Sequence, residues 1–264
     1  MSRIAVAGGT GLVGRHVTEA LRRAGHEVVA LTRASGVDLV AGDGLAGALR
    51  GVRAVIDVTN TPATDRDDAR AFFGAVTGNL LAAEEQAGVA HHLALSIVGV
   101  DRVKGNGHYA GKRRQEQLVA DGPVAATVVR ATQFHEFAGM VVSWTRQGDV
   151  AAVPPLLVQP AAAADVGDVL ARAALDDPAG TIELGGPEPQ DLVDMARRTL
   201  AAQGQSLRLV PTWQGLFSVE MAGEVLLPGP GAVIAPTTFD QWLAAQPGAS
   251  GDSGDRLTAA RAQE

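Results

Sequence analysis

Residues 4–17 read IAVAGGTGLVGRHV. Four apolar residues, Ile4–Ala7, run straight into glycines at 8, 9, 11 and 14, and valines then recur at 13 and 17. That is a strand, a tight turn and the start of an amphipathic helix. Gly8, Gly11 and Gly14 fall three apart, while Gly9, Gly11 and Gly14 also satisfy G-x-G-x-x-G. The pattern takes its meaning from following a strand and opening a helix. One glycine permits the turn, a second lets backbone approach a pyrophosphate, and a third lets strand and helix close on each other. The helix N-terminus then offers free N–H groups to the diphosphate. The rival reading is a glycine-rich turn packing an ordinary strand–helix unit.

The same rhythm continues outward. Strand candidates follow at Glu27–Leu31, Asp38–Ala41, Ala54–Val58, His92–Leu95 and Ala126–Arg130, with helical patterns near Leu12–Ala24, Leu45–Arg50, Asp67–Ala87 and Tyr109–Ala120. Gly25, Gly51, Gly88 and Gly122 stand where helix C-caps belong. Runs such as AVIDV and ATVVR are apolar on both faces, as strands covered on each side must be. Strand–helix alternation at this spacing predicts an α/β fold, a doubly wound parallel sheet with right-handed crossovers. After residue 150 the rhythm loosens. A helix near Ala164–Leu175, a strand at Thr181–Leu184 and a helix near Leu192–Ala202 remain legible. The expected division is a dinucleotide-binding domain over 1–150, a smaller substrate-capping region over 151–246 packed on the sheet's carboxyl edge, and a Gly/Ser-rich mobile tail over 247–264.

Composition narrows the function classes. The chain has 264 residues, 46% of them hydrophobic, yet no apolar run reaches the roughly 18 residues of a membrane span. It opens into a strand without a signal-peptide layout. With no cysteine, disulfides and thiolate metal sites are excluded, and no spaced His/carboxylate cluster suggests another metal site. A cytoplasmic protein is expected. A net charge of −7 argues against nucleic acid as the partner. A small-molecule substrate is expected, and the oligomeric state is left open.

In NAD-binding units a carboxylate at the end of the second strand takes the ribose 2′-hydroxyl. Here that strand ends Leu31-Thr32-Arg33. A guanidinium there suits a 2′-phosphate, which favours NADPH over NADH. The bland alternative is a solvated loop arginine.

With GGTGLVG at the first turn, LTR after the second strand, AVIDVTN, LALSIVGVD, RATQFHEF, LLVQP with ADVGDVL, and the closing TTFDQWLA, the chain resembles the atypical short-chain dehydrogenase/reductase family in its NmrA-like, NAD(P)H-binding branch. The resemblance spans residue 1 to about 246 and implies a Rossmann-type fold with NADP(H) across the carboxyl ends of the strands. It implies that Gly8, Thr10, Gly11, Leu12 and Gly14 hold the diphosphate and Arg33 the 2′-phosphate. Val58 and Thr59 would line the adenosine side, and Gln133 and Phe134 would flank the nicotinamide. Ser96 matches the family's strand-end serine and Lys112 its active-site lysine.

One departure stands in the stretch GNGHYAGKRRQE, residues 105–116, which holds the chain's single tyrosine and one of its two lysines. Carbonyl-reducing relatives place tyrosine four residues before the lysine as proton donor. Here that position is His108, and Tyr109 stands three before. At about 100° per residue, His108 lies some 40° to one side of Lys112 and Tyr109 some 60° to the other. Either shares the lysine's face, but both cannot aim equally at one nicotinamide. His108 is one candidate acid, Tyr109 another. The third reading is that neither serves, with Tyr109 packed at the helix start and His108 a solvated loop residue. Ser96 has its own plain reading, a small strand-end residue satisfying local backbone. His91 and His92 are expected at the start of a strand, one on the surface and one partly buried. His135 and Glu136 read either as pocket residues or as a helix start, and Trp144, Trp213 and Phe217 as pocket lining or core.

Three functions are compatible with these residues. The first is an NADPH-dependent oxidoreductase for a small apolar carbonyl, quinone or conjugated acceptor, with Lys112, Ser96 and either His108 or Tyr109 at the reacting centre. The second is a non-redox tailoring enzyme, a cyclase, epimerase or dehydratase on the same fold. The third is a redox-sensing regulator that binds dinucleotide without turning it over.

Overall fold

In the computed structural model, which describes residues 1–215 and 217–246, the strand opening the glycine stretch lies one place in from an edge of the main sheet. The strands are β1 (Arg3–Ala7), β2 (Glu27–Leu31), β3 (Ala54–Asp57), β4 (His91–Ile97), β5 (Ala126–Ala131), β6 (Arg146–Gln147), β7 (Val150–Val153), β8 (Leu157–Val158), β9 (Gly180–Gly185), β10 (Gln190–Asp191), β11 (Arg208–Pro211) and β12 (Val233–Ile234). The helices are α1 (Leu12–Arg23), α2 (Leu45–Ala48), α3 (Arg66–Ala87), α4 (Gly107–Ala120), α5 (Phe137–Thr145), α6 (Ala163–Ala173), α7 (Leu192–Ala202) and α8 (Phe239–Ala244).

Seven strands form one parallel sheet in the order β12-β9-β5-β4-β3-β1-β2. The inner strands explain their own placement. All four residues of β3, Ala54–Asp57, are buried, as are Ile4–Ala7 of β1, because helices cover both faces. One face packs Ile4, Val6, Ile56 and Leu93 against α1 and α6; the other packs Ala5, Ala7 and Val55 against α2 and α3. Val17 and Leu21 of α1 are fully buried, each worth roughly 1.5–3 kcal/mol of removed apolar surface. The chain leaves β1 for β2 on one side and returns to β3 on the other, so a crevice opens at the carboxyl ends of β1 and β3.

Residues on both sides of position 150 build this sheet, since β9 and β12 extend it beyond β5. The rest of the later chain forms a second apolar cluster, where Leu156, Leu192, Met195 and Phe239 pack with Val141 of α5 and Tyr109 of α4. A three-stranded sheet, β11-β7-β6, and a β10-β8 pair complete it. No helix among the described residues is long and apolar enough to cross a membrane. The expected tail from Pro247 lies outside the described residues.

Three expectations are corrected. Asp38–Ala41 is not a strand. It is a turn closed by an Asp38–Asp43 bridge, because the Asp38 carboxylate takes the N–H groups of Val40 and Ala41 at 2.9 and 3.0 Å. Those bonds hold the backbone in a local loop that cannot join a ladder. His91 and His92 lie within β4 and both are buried, because each finds an internal partner: His91 the Thr127 hydroxyl at 2.9 Å, His92 the Glu84 carboxylate at 2.9 Å. Gly122 follows the cap rather than forming it, since Asp121 ends α4 in right-handed geometry. Gly88 does cap α3, at φ +69°.

Candidate functional site

The glycine loop and the end of β3 meet at van der Waals limit. Gly8 has φ +80°, and a Cβ there would stand 2.8 Å from the Val58 carbonyl oxygen; one on Gly14 would stand 2.1 Å from the Gly8 oxygen. The backbone closes as a bare cradle: the Gly11 N–H bonds to Gly8 O at 2.9 Å, and α1 begins at Leu12 without a capping side chain or an acidic residue in its first turn. The N–H groups of that turn face no competing carboxylate, the donor set an anion needs. Thr10 is exposed beside it. Ala7 pairs in register with Leu31, which brings the turn after β2 alongside the glycine loop. There Thr32 caps a short helical turn, and Arg33 extends with its side chain 88% exposed, only 4.0 Å from the Asp38 carboxylate. Val58 and Thr59 are buried at the β3 end of the crevice. The cradle fits the diphosphate of a dinucleotide, with the exposed Arg33 guanidinium on the neighbouring turn.

Helix α4 comes against α3 through glycine. A Cβ on Gly111 would lie 2.6 Å from the Phe73 ring and 2.9 Å from Ala69 O. This approach pushes Lys112 into the interior, 5% exposed, under the strand ends. Its Nζ donates to Leu95 O at 2.8 Å, Gln115 Oε1 at 2.9 Å and Thr59 O at 3.3 Å, and stands 4.4 Å from the centre of the Phe73 ring. Burial pulls its pKa down to about 8, against the opposing pull of Asp57 and Glu116. Ser96, next to Leu95, is 2% exposed and its hydroxyl has no partner among the described residues. Lys112 thus meets the main chain of β4 at the residue before Ser96.

His108 and Tyr109 are separated by the helix between them. His108 stands edge-on to Phe73 with ring centres 5.8 Å apart, and burial together with the Lys112 charge lowers its pKa to about 4. It is a partly buried helix residue, not a solvated loop histidine. Tyr109 is 6% exposed in the second apolar cluster, and burial pushes its phenol well above the usual range despite the neighbouring Gln133 amide. Neither is a poised acid at neutral pH.

After β5 the chain is pinned by main-chain bonds, Ala161 N to Gln133 O and His135 N to Ala161 O, both 3.0 Å. Gln133 keeps a buried amide oxygen without a partner, and Phe134 packs against the core on the α1 side. His135 is taken by structure: it donates to Thr237 O at 3.0 Å between the rings of Phe239 and Trp242. Glu136 stands at the α5 N-terminus, its pKa raised by burial. Trp144 is half exposed, while Trp213 and Phe217 pack partly buried on the second cluster.

Two site residues escaped the sequence. Asp57, fully buried, takes Thr59 N and Oγ1 on one oxygen at 2.9 and 2.6 Å and Gln115 Nε2 on the other at 2.8 Å. The Lys112–Gln115 spacing of three was the available signal, but it also describes any surface helix pair.

The model of the NmrA-like family matches residues 1–184. A curated relative, (4-alkanoyl-5-oxo-2,5-dihydrofuran-3-yl)methyl phosphate reductase of Streptomyces griseus subsp. griseus, is 36% identical over 144 residues, half of this chain and 48% of that protein. The chain thus matches about half the length of that relative. Among solved structures, dTDP-4-dehydrorhamnose reductase from Bacillus anthracis str. Ames, in complex with NADP, superposes with TM-score 0.71 at 14% identity, covering 92% of this chain and 98% of that one. MoeE5 in complex with UDP-glucuronic acid and NAD gives 0.69 at 19% identity, covering 93% and 97%. Both share the Rossmann-type fold.

Proposed function

The chain belongs to the NmrA-like family, and we propose that it is an NADPH-dependent reductase of a small conjugated carbonyl compound. The observation that carries the reading is the bare cradle between Gly8, Gly14 and the end of β3, with the exposed Arg33 on the turn after β2. In this reading the N–H groups of Leu12 and the rest of the first turn of α1 hold the diphosphate against the bare Gly8, Gly11 and Gly14 backbone, with Thr10 at its edge. Arg33 takes the 2′-phosphate, and Val58 and Thr59 line the adenosine side. Gln133 and Phe134 flank the nicotinamide. NADPH, when bound, supplies the hydride.

The choice of acceptor follows from the missing acid. Reducing an isolated carbonyl leaves an alkoxide that needs a proton donor close to its own pKa. His108 is neutral at pH 7, and Tyr109 holds its proton in the second apolar cluster, where burial raises its pKa. A conjugated C=C needs no such donor at oxygen, because hydride at the β-carbon leaves a delocalised enolate that water protonates at carbon. The buried Lys112 charge and the unpartnered Ser96 hydroxyl stabilise that oxygen. The Streptomyces relative supports the choice, since its named substrate carries a ring C=C conjugated to carbonyls. Lys112 engages a ligand hydroxyl by giving up its longest bond, that to Thr59 O.

Purified protein mixed with NADPH and a set of unsaturated lactones and enones is expected to consume NADPH and return products reduced at C=C with the carbonyl intact. Alcohol products from simple ketones, or no NADPH uptake, would sink the reading. The saturated hydrogen bonding of Lys112 favours one second reading, a sensor that binds the dinucleotide without turnover. The same assay separates them, since the sensor binds NADPH and leaves every acceptor untouched.

A further inference from the structure

Lys112 has three N–H donors, and three acceptors surround it. Leu95 O and Thr59 O are main-chain atoms at the ends of β4 and β3. The third acceptor is a side chain, Gln115, and a side-chain amide must be told which way to point. Asp57 tells it. An ionised carboxylate only accepts and an ammonium only donates, so an amide between them makes two bonds in one orientation and none in the other. Nε2 faces Asp57 at 2.8 Å and Oε1 faces Lys112 at 2.9 Å. The other Asp57 oxygen fixes Thr59, whose carbonyl is another acceptor of the same lysine. One buried carboxylate thereby sets two of the three contacts around Nζ. Asp57, Gln115 and Lys112 are all at least 95% buried, so water does not substitute for a lost partner.

We infer that Asp57 and Gln115 form a positioning relay that fixes the Lys112 ammonium at the carboxyl ends of β3 and β4. The inference rests on the reading above only in taking Lys112 as part of the dinucleotide site. The relay keeps the charge on the lysine in a place where burial disfavours it, and it holds the Thr59 loop on the same carboxylate.

The chain contains only two lysines, Lys104 and Lys112, so protein carrying 13C at the lysine ε-carbon gives two resonances, and Lys104→Arg assigns them. Wild-type Lys112 is expected to titrate at about 8. Asp57→Asn and Gln115→Met are each expected to lower that midpoint by about one unit or more, since each removes stabilisation of the charged form. The paired substitution Asp57→Asn/Gln115→Glu keeps both connections. The introduced asparagine donates to the introduced glutamate, which accepts from Nζ with its charge now in direct contact, so the midpoint returns to the wild-type value or rises above it. Folded single variants with unmoved midpoints overturn the relay. Should both single variants fail to fold, the paired variant decides alone, and a midpoint lower than wild type by more than roughly half a unit overturns it. No nucleotide is needed. Protein that shows the shifts but takes up no NADPH overturns the functional reading only, and protein that binds NADPH without the shifts overturns the relay only.

Discussion

His108 and Tyr109 are neighbours in sequence but leave α4 toward different cores: the His108 ring meets Phe73 edge-on at 5.8 Å, while Tyr109 packs among Val100, Val103 and Ala138. Lys112 lies on the His108 side, over the same Phe73 ring. A single residue step of about 100° around the helix thus places the two candidate acids in two environments, and each environment disfavours the charged form. The imidazole stays neutral next to an ammonium, and the phenol keeps its proton in an apolar cluster.

A true general acid is worth about 10²–10⁴-fold in rate. His108→Asn and Tyr109→Phe are each expected to cost less than about 10-fold in kcat toward an unsaturated lactone, well short of that range. Steady-state rates of the two variants check this. A loss of a hundredfold or more in either would reinstate that residue as the donor and return isolated carbonyls as substrates.

His108 also leaves a mark on stability. Its folded pKa of about 4 lies below its ordinary 6.5, so the unfolded chain binds the extra proton first. Stability tied to neutral His108 is complete above pH 6.5 and is lost as pH falls from there toward about 4. In urea titrations across that window, His108→Asn should lose less stability than wild type. Parallel curves for the two proteins would contradict the lowered value.

The glycine cradle predicts a graded pair. Gly14→Ala drives a methyl to 2.1 Å from Gly8 O, in a loop braced on one side by α1 and on the other by β3. Overpacking of this kind costs about 1–3 kcal/mol, or more when only backbone can yield. A Tm several degrees lower is expected, with no measurable NADPH uptake. Gly11→Ala is milder, since its Cβ would stand 3.3 Å from the same oxygen. It should fold close to normally and weaken NADPH. Calorimetry with and without nucleotide reads both effects, and a Gly14→Ala protein that binds NADPH like wild type refutes the cradle.

These two glycines were readable from spacing alone, because three residues along a strand–turn–helix fix where the backbones meet. So were β1, β2, β3, β5 and α1, whose apolar runs depend on local pattern. What stayed hidden was tertiary. Asp38–Ala41 looked like the third strand of a Rossmann half, and only the Asp38 carboxylate folding back on Val40 and Ala41 shows otherwise. Val233–Ile234 is too short to read as a strand and becomes one by lying beside Leu184 and Gly185. Asp57 and Gln115 are 58 residues apart, and no local period links them. One of His91 and His92 was expected on the surface because their partners, Thr127 and Glu84, lie on different elements, β5 and the end of α3.

That last pair makes its own prediction. Both Glu84 and His92 have fully buried side chains, 2.9 Å apart. Burial favours neutral imidazole, but the Glu84 charge and hydrogen bond outweigh it and raise the His92 pKa. The stabilisation is therefore complete below the ordinary value of 6.5 and fades as pH rises through the raised folded value. Glu84→Gln is expected to cost about 1.5–3 kcal/mol at pH 6, the worth of a hydrogen bond to a charged group. The cost should shrink at higher pH. A cost that is flat or grows with pH would show that His92 is neutral throughout.

Arg33 separates cofactor choice from folding. Its side chain is 88% exposed and its one ionic neighbour stands 4.0 Å away, so removing it leaves no cavity and no stranded buried charge. Arg33→Ala should match wild-type Tm within measurement. If the guanidinium takes the 2′-phosphate, the lost charge-assisted bonds are worth about 1.5–3 kcal/mol, or roughly 10- to 150-fold in NADPH affinity. NADH lacks that phosphate and should bind as before, so the preference between the two coenzymes narrows by the same factor. Fluorescence titration of both coenzymes against both proteins measures it. Equal losses for NADPH and NADH would move Arg33 off the 2′-phosphate, and no loss for either would leave it a solvated loop arginine.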